Sequence, residues 1–130
     1  MKDKKIILRF KGGLGNQLFI YSFYLYLKSK IKNEILIDKN SAYSKLLYGN
    51  RFNESFVINK IDKNLKYLSS SSVFFGLIGK LIRLLIKNSN LLQKITKIKY
   101  LNSEDYTKII GSINNSSYKI FYIDGLYNFL

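Results

Sequence analysis

Three glycines in four positions, within Gly12-Gly13-Leu14-Gly15-Asn16-Gln17, separate the apolar run Ile6-Ile7-Leu8-Arg9-Phe10 from a second apolar run that begins at Leu18. Glycine lets the backbone turn sharply and come close to a ligand, because it has no Cβ. A helix that starts right after such a turn opens with N–H groups lacking an intrahelical acceptor, and that end suits an anion, most naturally a phosphate. The same stretch restricts the fold. Residues 5–10 read as a strand buried on both faces, since Ile-Ile-Leu is a continuous apolar run bounded by charge and by glycine. Residues 17–30 read as a helix whose apolar positions, from Leu18 to Leu27, cover nearly the whole circumference, with Lys28 and Lys30 at the end that favours cations. Residues 34–38 (Glu-Ile-Leu-Ile-Asp) read as a second strand. Strand, helix and strand in this order form a βαβ unit with a right-handed crossover and parallel pairing. The glycine loop then lies at the carboxyl end of the first strand, where open α/β sheets hold their ligands.

Beyond residue 40 the pattern loosens into short apolar pieces among Asn, Ser and Lys as far as residue 67. The four serines at 69–72 suit a linker or an N-cap, and residues 73–87 behind them read as a helix with Lys80, Arg83 and Lys87 on one face. A surface helix packing its apolar stripe on the sheet is preferred there to a membrane-docking helix, because Gly76 and Gly79 weaken it as an autonomous unit. Leu91, Leu92, Ile95 and Ile98 predict a helix over 90–99, and Ser103-Glu104-Asp105 predict the capped start of another. Residues 118–123 (Tyr-Lys-Ile-Phe-Tyr-Ile) read as the last strand. The expected architecture is α/β, a parallel sheet with flanking helices in one domain over residues 1–130.

Composition narrows the chemistry. Lysine and arginine total 22 against 8 acidic residues, a net charge of +14, which attracts polyanions: nucleic acid, an anionic membrane surface or a phosphate-bearing substrate. Much of that excess is lysine scattered through an Asn-, Ile- and Lys-rich sequence, which compositional bias also explains. There is no cysteine, hence no disulfide, thiolate nucleophile or cysteine zinc site. There is no histidine either, which removes the commonest general base and transition-metal ligand and excludes a Ser-His-Asp triad. The apolar run after Lys2, Lys4 and Lys5 is too short for a signal-peptide core, and no stretch reaches the length of a membrane span.

The glycine loop departs from two standard phosphate-binding patterns. A Walker A loop ends in Gly-Lys-Ser/Thr where this chain has Gly15-Asn16-Gln17, and a dinucleotide fingerprint has a third glycine where this chain has Leu18. Instead, two carboxamides stand at the helix entrance, which suits a ligand presenting both phosphate oxygens and sugar hydroxyls, such as a nucleotide sugar. Arg9 and Lys11 flank the turn, and alternation along the strand is expected to bring at most one of them toward the pocket. Asp38 and Asp124 fall at strand ends and are the candidate catalytic carboxylates.

The string Arg9-Phe10-Lys11-Gly12-Gly13-Leu14-Gly15-Asn16-Gln17-Leu18-Phe19, with Tyr21 after it, closely resembles the N-terminal signature of bacterial α-1,2-fucosyltransferases, commonly R-L-x-G-G-L-G-N-Q-M-F-Q-Y-A. Looser likenesses follow in order: Ile35-Leu36-Ile37-Asp38 to that family's second strand, Arg51-Phe52 through Phe56-Val57-Ile58 to its R-x-Y-x-L-x-x-F-x-I segment, and Tyr122 through Asn128 to its G-Y-W-Q segment. Ile20, Ser22 and Leu126-Tyr127-Asn128 depart from the pattern, all outside the loop. The resemblance implies a metal-independent, inverting glycosyltransferase with two Rossmann-like halves in a GT-B-like arrangement, moving fucose from GDP-fucose to a galactoside in surface polysaccharide or O-antigen synthesis. It implies no cofactor beyond that donor substrate. It makes Gly12, Gly13, Leu14, Gly15, Asn16, Gln17 and Arg9 donor-binding residues, with Asn16 foremost.

Most of the guanine-nucleotide site in that family, including an H-x-R-R-x-D motif, belongs to a C-terminal half. The resemblance therefore covers an N-terminal portion, expected to be inactive alone and completed by a missing half or a partner chain. The implied partners are a nucleotide-sugar donor and a glycan acceptor, with nucleic acid disfavoured; the implied location is the cytoplasm, with peripheral contact at the inner face of the membrane. Two readings from other classes stay open: a small nucleotide-binding module that uses the glycine loop as a complete site, and a basic protein that binds polyanions or membrane surfaces without catalysis.

Overall fold

A computed structural model describes residues 4–43, 56–102 and 106–124. The strands β1 (Lys5–Arg9), β2 (Ile35–Asp38), β3 (Lys66–Tyr67), β4 (Ile98–Leu101) and β5 (Ile120–Ile123) form one parallel sheet in the order β3-β2-β1-β5-β4. The helices are α1 (Leu14–Lys30), α2 (Asn40–Tyr43), α3 (Gly76–Lys87), α4 (Asn90–Thr96) and α5 (Tyr106–Asn115), with a 3-10 turn at Ile58–Lys60. This is an α/β, Rossmann-like fold with β1 at the centre of the sheet.

The strand order dictates the layers. From β1 to β2 to β3, and again from β4 to β5, the chain steps across the sheet in one direction, so right-handed crossovers place α1 and α5 on the same face. The step from β3 to β4 runs the other way and places α3 and α4 on the opposite face. Alternation along the strands sorts the core accordingly. Ile6, Leu8, Ile37, Phe121 and Ile123 pack with Ile20, Phe23 and Leu27 of α1 and with Ile109 and Ile113 of α5. Ile7, Ile98 and Tyr122 face the other way and pack with Phe74 and Ile86.

Three expectations change. The helix expected over 90–99 stops at Thr96, because Lys97 takes a left-handed conformation (φ 60°) and residues 98–101 leave it as the edge strand β4. No glycine marks that turn, and Ile98 continues the helical spacing of Leu91 and Ile95, so the sequence carried no stop signal. The serine run does not cap α3, whose N-cap is Phe75 without a side-chain bond. The third change is the orientation of α3. Arg83 is buried while Leu77, Ile78, Leu81, Leu84 and Leu85 are exposed, so the helix does not lay its apolar stripe on the sheet.

The helix start expected at Ser103-Glu104-Asp105 lies outside the described residues, although α5 follows it. The same holds for residues 44–55, which include Arg51-Phe52, and for Gly125 through Asn128. Among the described residues, no helix is long and apolar enough to cross a membrane.

Candidate functional site

β1 ends where the Phe10 N–H donates to the Asp38 carbonyl at 3.0 Å, and the chain turns at Gly12 with φ +82°. The positive φ favours glycine there, and a Cβ at Gly12 would stand 2.4 Å from the Asn16 carboxamide nitrogen, so a larger residue would also displace the Asn16 side chain. The Gly12 carbonyl accepts from Gln17 Nε2 at 3.0 Å and from the Tyr43 hydroxyl at 2.7 Å. Gln17 Oε1 in turn accepts the Val57 N–H at 2.9 Å, and the side chain is fully buried. Gln17 thus shapes the turn from inside, tying it to the segment before the 3-10 turn. Replacing Gln17 with leucine takes the acceptor from the half-buried Val57 N–H and one of two donors from the Gly12 carbonyl, and a loss of about 2 kcal/mol in denaturant-measured stability is expected.

The outer side of the turn is different. Gly13 is the N-cap of α1 with extended angles (φ −74°, ψ −174°), no side chain caps it, and the first turn holds no acidic residue. The first helical bond runs from the Gln17 N–H to the Gly13 carbonyl at 3.0 Å, which leaves the N–H groups of the preceding residues without an intrahelical acceptor. Leu14, Gly15 and Asn16 are exposed. Nothing lies within 4 Å of where a Cβ at Gly15 would stand. Glycine in a helix costs about 1 kcal/mol relative to alanine, and neither packing nor backbone conformation requires it at this position.

Beside the turn, the carboxyl ends of four strands assemble a polar cluster. Register places Arg9 opposite Asp38 and Tyr100 opposite Tyr122. A period of two puts all four, with Asp124, on the face shared by α3. Arg9 Nη1 pairs with Asp124 at 3.2 Å, and Lys11 Nζ reaches the other carboxylate oxygen at 2.6 Å. The Tyr100 hydroxyl also donates to Asp124. The expectation that at most one of Arg9 and Lys11 turns toward this site is corrected: residues two apart share a side, and both converge on the same carboxylate. Arg9 Nε donates to Ser41 Oγ at 2.8 Å, while Asp38 accepts the Ser41 N–H at 3.1 Å and the Tyr122 hydroxyl.

These partners set the electrostatics. Burial by itself would push the Asp124 carboxyl up, but Arg9 and Lys11, with hydrogen bonds from Lys11 and Tyr100, hold it below its ordinary value. Burial, reinforced by the Asp124 charge, pushes the Tyr100 hydroxyl far up, and burial beside Asp38 does the same for Tyr122. Both tyrosines are therefore neutral donors and Asp124 is ionised at neutral pH. A general base works best with a pKa near the operating pH; Asp124 sits well below it. Asp38 is 1% exposed and its two oxygens are taken by Ser41 and Tyr122. Each carboxylate fastens strand ends together, and Asp124 leaves Arg9 and Lys11 with one net positive charge next to the glycine turn.

The structure therefore brings Arg9, Gly12, Gly13, Leu14, Gly15 and Asn16 to one end of β1, with Gln17 beneath them and Asp38 and Asp124 alongside. Ser41, Tyr43 and Tyr100 join them without a motif of their own, and Tyr122 joins them from the start of the segment likened to G-Y-W-Q. For the two sheet tyrosines, alternation combined with register was the available signal, and it requires the strand order. Among the described residues, no group of histidine, cysteine or carboxylate side chains is arranged to hold a metal ion. No family model, curated protein or solved structure matches the chain.

Proposed function

We propose that this domain is the N-terminal, acceptor-side part of a glycosyltransferase similar to α-1,2-fucosyltransferases, and that its glycine turn receives the diphosphate of GDP-fucose. One observation carries the reading: Gly15 stands exposed at the uncapped start of α1, where the fold has no use for a glycine but an approaching ligand does. The main-chain N–H groups of Leu14, Gly15 and Asn16 supply donors to phosphate oxygens. The Asn16 carboxamide adds a group able to meet a phosphate or a sugar hydroxyl. Arg9 and Lys11, held in place by Asp124, supply a positive field for the departing diphosphate, the charge that grows in the transition state of glycosyl transfer. The resemblance of residues 9–19 to the fucosyltransferase signature supports the choice of donor. In this reading a second, nucleotide-binding domain holds the guanosine, and the acceptor galactoside is activated between the two.

Amide chemical-shift mapping with millimolar GDP-fucose tests the proposal. Progressive shifts centred on residues 13–17 are expected, with weak affinity for this domain alone. A Gly15→Leu variant, whose Cβ has nothing within 4 Å, is expected to keep the fold, to fill the ligand's path and to lose the shifts. Asn16→Ala is expected to weaken them about tenfold, the worth of one hydrogen bond to a charged group. Shifts that avoid the turn, or that survive Gly15→Leu unchanged, overturn the reading.

A further inference from the structure

The outward face of α3 and α4 is apolar where a surface is ordinarily polar. On α3, Leu77, Ile78, Leu81, Leu84 and Leu85 are between 48% and 70% exposed, and on α4 Leu91 and Ile95 are 68% and 67% exposed. Contiguous exposed apolar surface of this kind marks an interaction site. The helix is amphipathic across three sectors. At about 100° per residue, the exposed leucines span one side, Gly79, Arg83 and Ile86 the buried side, and Lys80 with Lys87 the edge between them.

Charge identifies the occupant. On α3 and α4 the cations Lys80, Lys87 and Lys94 stand outside the buried side, and from Lys63 to Ser103 the chain carries no aspartate or glutamate. A second copy of this face would bring like charge against like charge. A nucleic acid would satisfy the lysines but leave the leucine face in water. An anionic bilayer satisfies both, with acyl chains for the leucines and headgroup phosphates for the cations at their edge. We infer that the α3 and α4 face docks the domain on an anionic phospholipid surface, lying in the interface and not crossing it. This goes beyond the donor reading, because it involves no residue of the glycine turn.

Co-sedimentation with phosphatidylcholine vesicles, with and without about 30% phosphatidylglycerol, tests it. The wild-type domain is expected to pellet with the anionic vesicles and at least about tenfold more weakly with the neutral ones. Leu81→Ser and Leu85→Ser, both at positions more than half exposed, are each expected to weaken binding about tenfold. The pair Lys80→Glu and Lys87→Glu is expected to abolish the preference for anionic lipid. Asn16→Ala is expected to bind vesicles as the wild type does, so this inference and the donor reading fail separately. Absence of pelleting, or a dimer in solution that Leu81→Ser dissociates while vesicles go unbound, overturns the inference.

Discussion

Replacing Asp124 with alanine is expected to destabilise the domain by about 3–5 kcal/mol, the cost of removing one partner from a buried ionic group. The carboxylate is 6% exposed and its cationic partners Arg9 and Lys11 are 15% and 18% exposed, so neither cation recovers full hydration when it is lost. The Tyr100 hydroxyl loses its acceptor at the same time. Urea denaturation of the variant at neutral pH reads the difference directly. A loss below about 1 kcal/mol, typical of an exposed ion pair, would show that the cluster does not hold the strand ends. Asp124→Asn should fall between the two, since it keeps the shape and removes the charge. The pH dependence follows from the direction of the shift. The native carboxyl lies below the unfolded value of 3.8, so the contribution is complete above that pH and disappears as pH falls through the native value. The gap between wild type and Asp124→Asn should therefore close in acid and remain constant from pH about 5 upward.

That cluster also shows what was legible in the residue order and what was not. The βαβ unit was readable because Ile6-Ile7-Leu8, the glycines and Ile35-Leu36-Ile37 give abrupt changes of pattern, and β1, α1 and β2 lie where those changes predict. Gly12 was readable as a turn, and its positive φ is the physical reason. Tyr100 was not readable, because residues 98–101 were absorbed into a helical spacing that ends only through the left-handed Lys97. Without β4, nothing placed Tyr100 beside Tyr122, where the two rings stack with centroids 5.6 Å apart. In the sequence Gln17 reads as a ligand-facing carboxamide, since position along a helix entrance does not reveal which face is inside. Its burial depends on Val57, forty residues away, a contact that local pattern cannot encode. The function proposed for the turn rests on the likeness of residues 9–19 to a known signature, to which the geometry adds the exposed Gly15 and the nearby cations.

Gly79→Ala is expected to cost about 3 kcal/mol or more, at the upper end of overpacking effects, although alanine ordinarily strengthens a helix by about 1 kcal/mol relative to glycine. The added Cβ would stand 2.0 Å from the Phe74 carbonyl oxygen and 2.1 Å from its carbon, both backbone atoms that cannot swing aside. The same carbonyl accepts from Arg83 at 3.1 Å, and the Phe74 ring packs on Tyr122 at 5.1 Å. Gly79 and Arg83, one helical turn apart, thus pin α3 to a single backbone group, which is why a cation faces inward and the leucines outward. Gly111→Ala in α5 provides the contrast: nothing lies within 4 Å of its added Cβ, so the substitution should stabilise by about 1 kcal/mol. Opposite signs at two helical glycines, measured by thermal or urea unfolding, would establish that close approach at Phe74 orients α3. Equal and stabilising effects would mean that the helix can rotate, and the outward leucine face would lose its structural cause. Lipid docking would then depend on a helix free to turn its leucines inward, and vesicle binding by Gly79→Ala should decline although its stability rises.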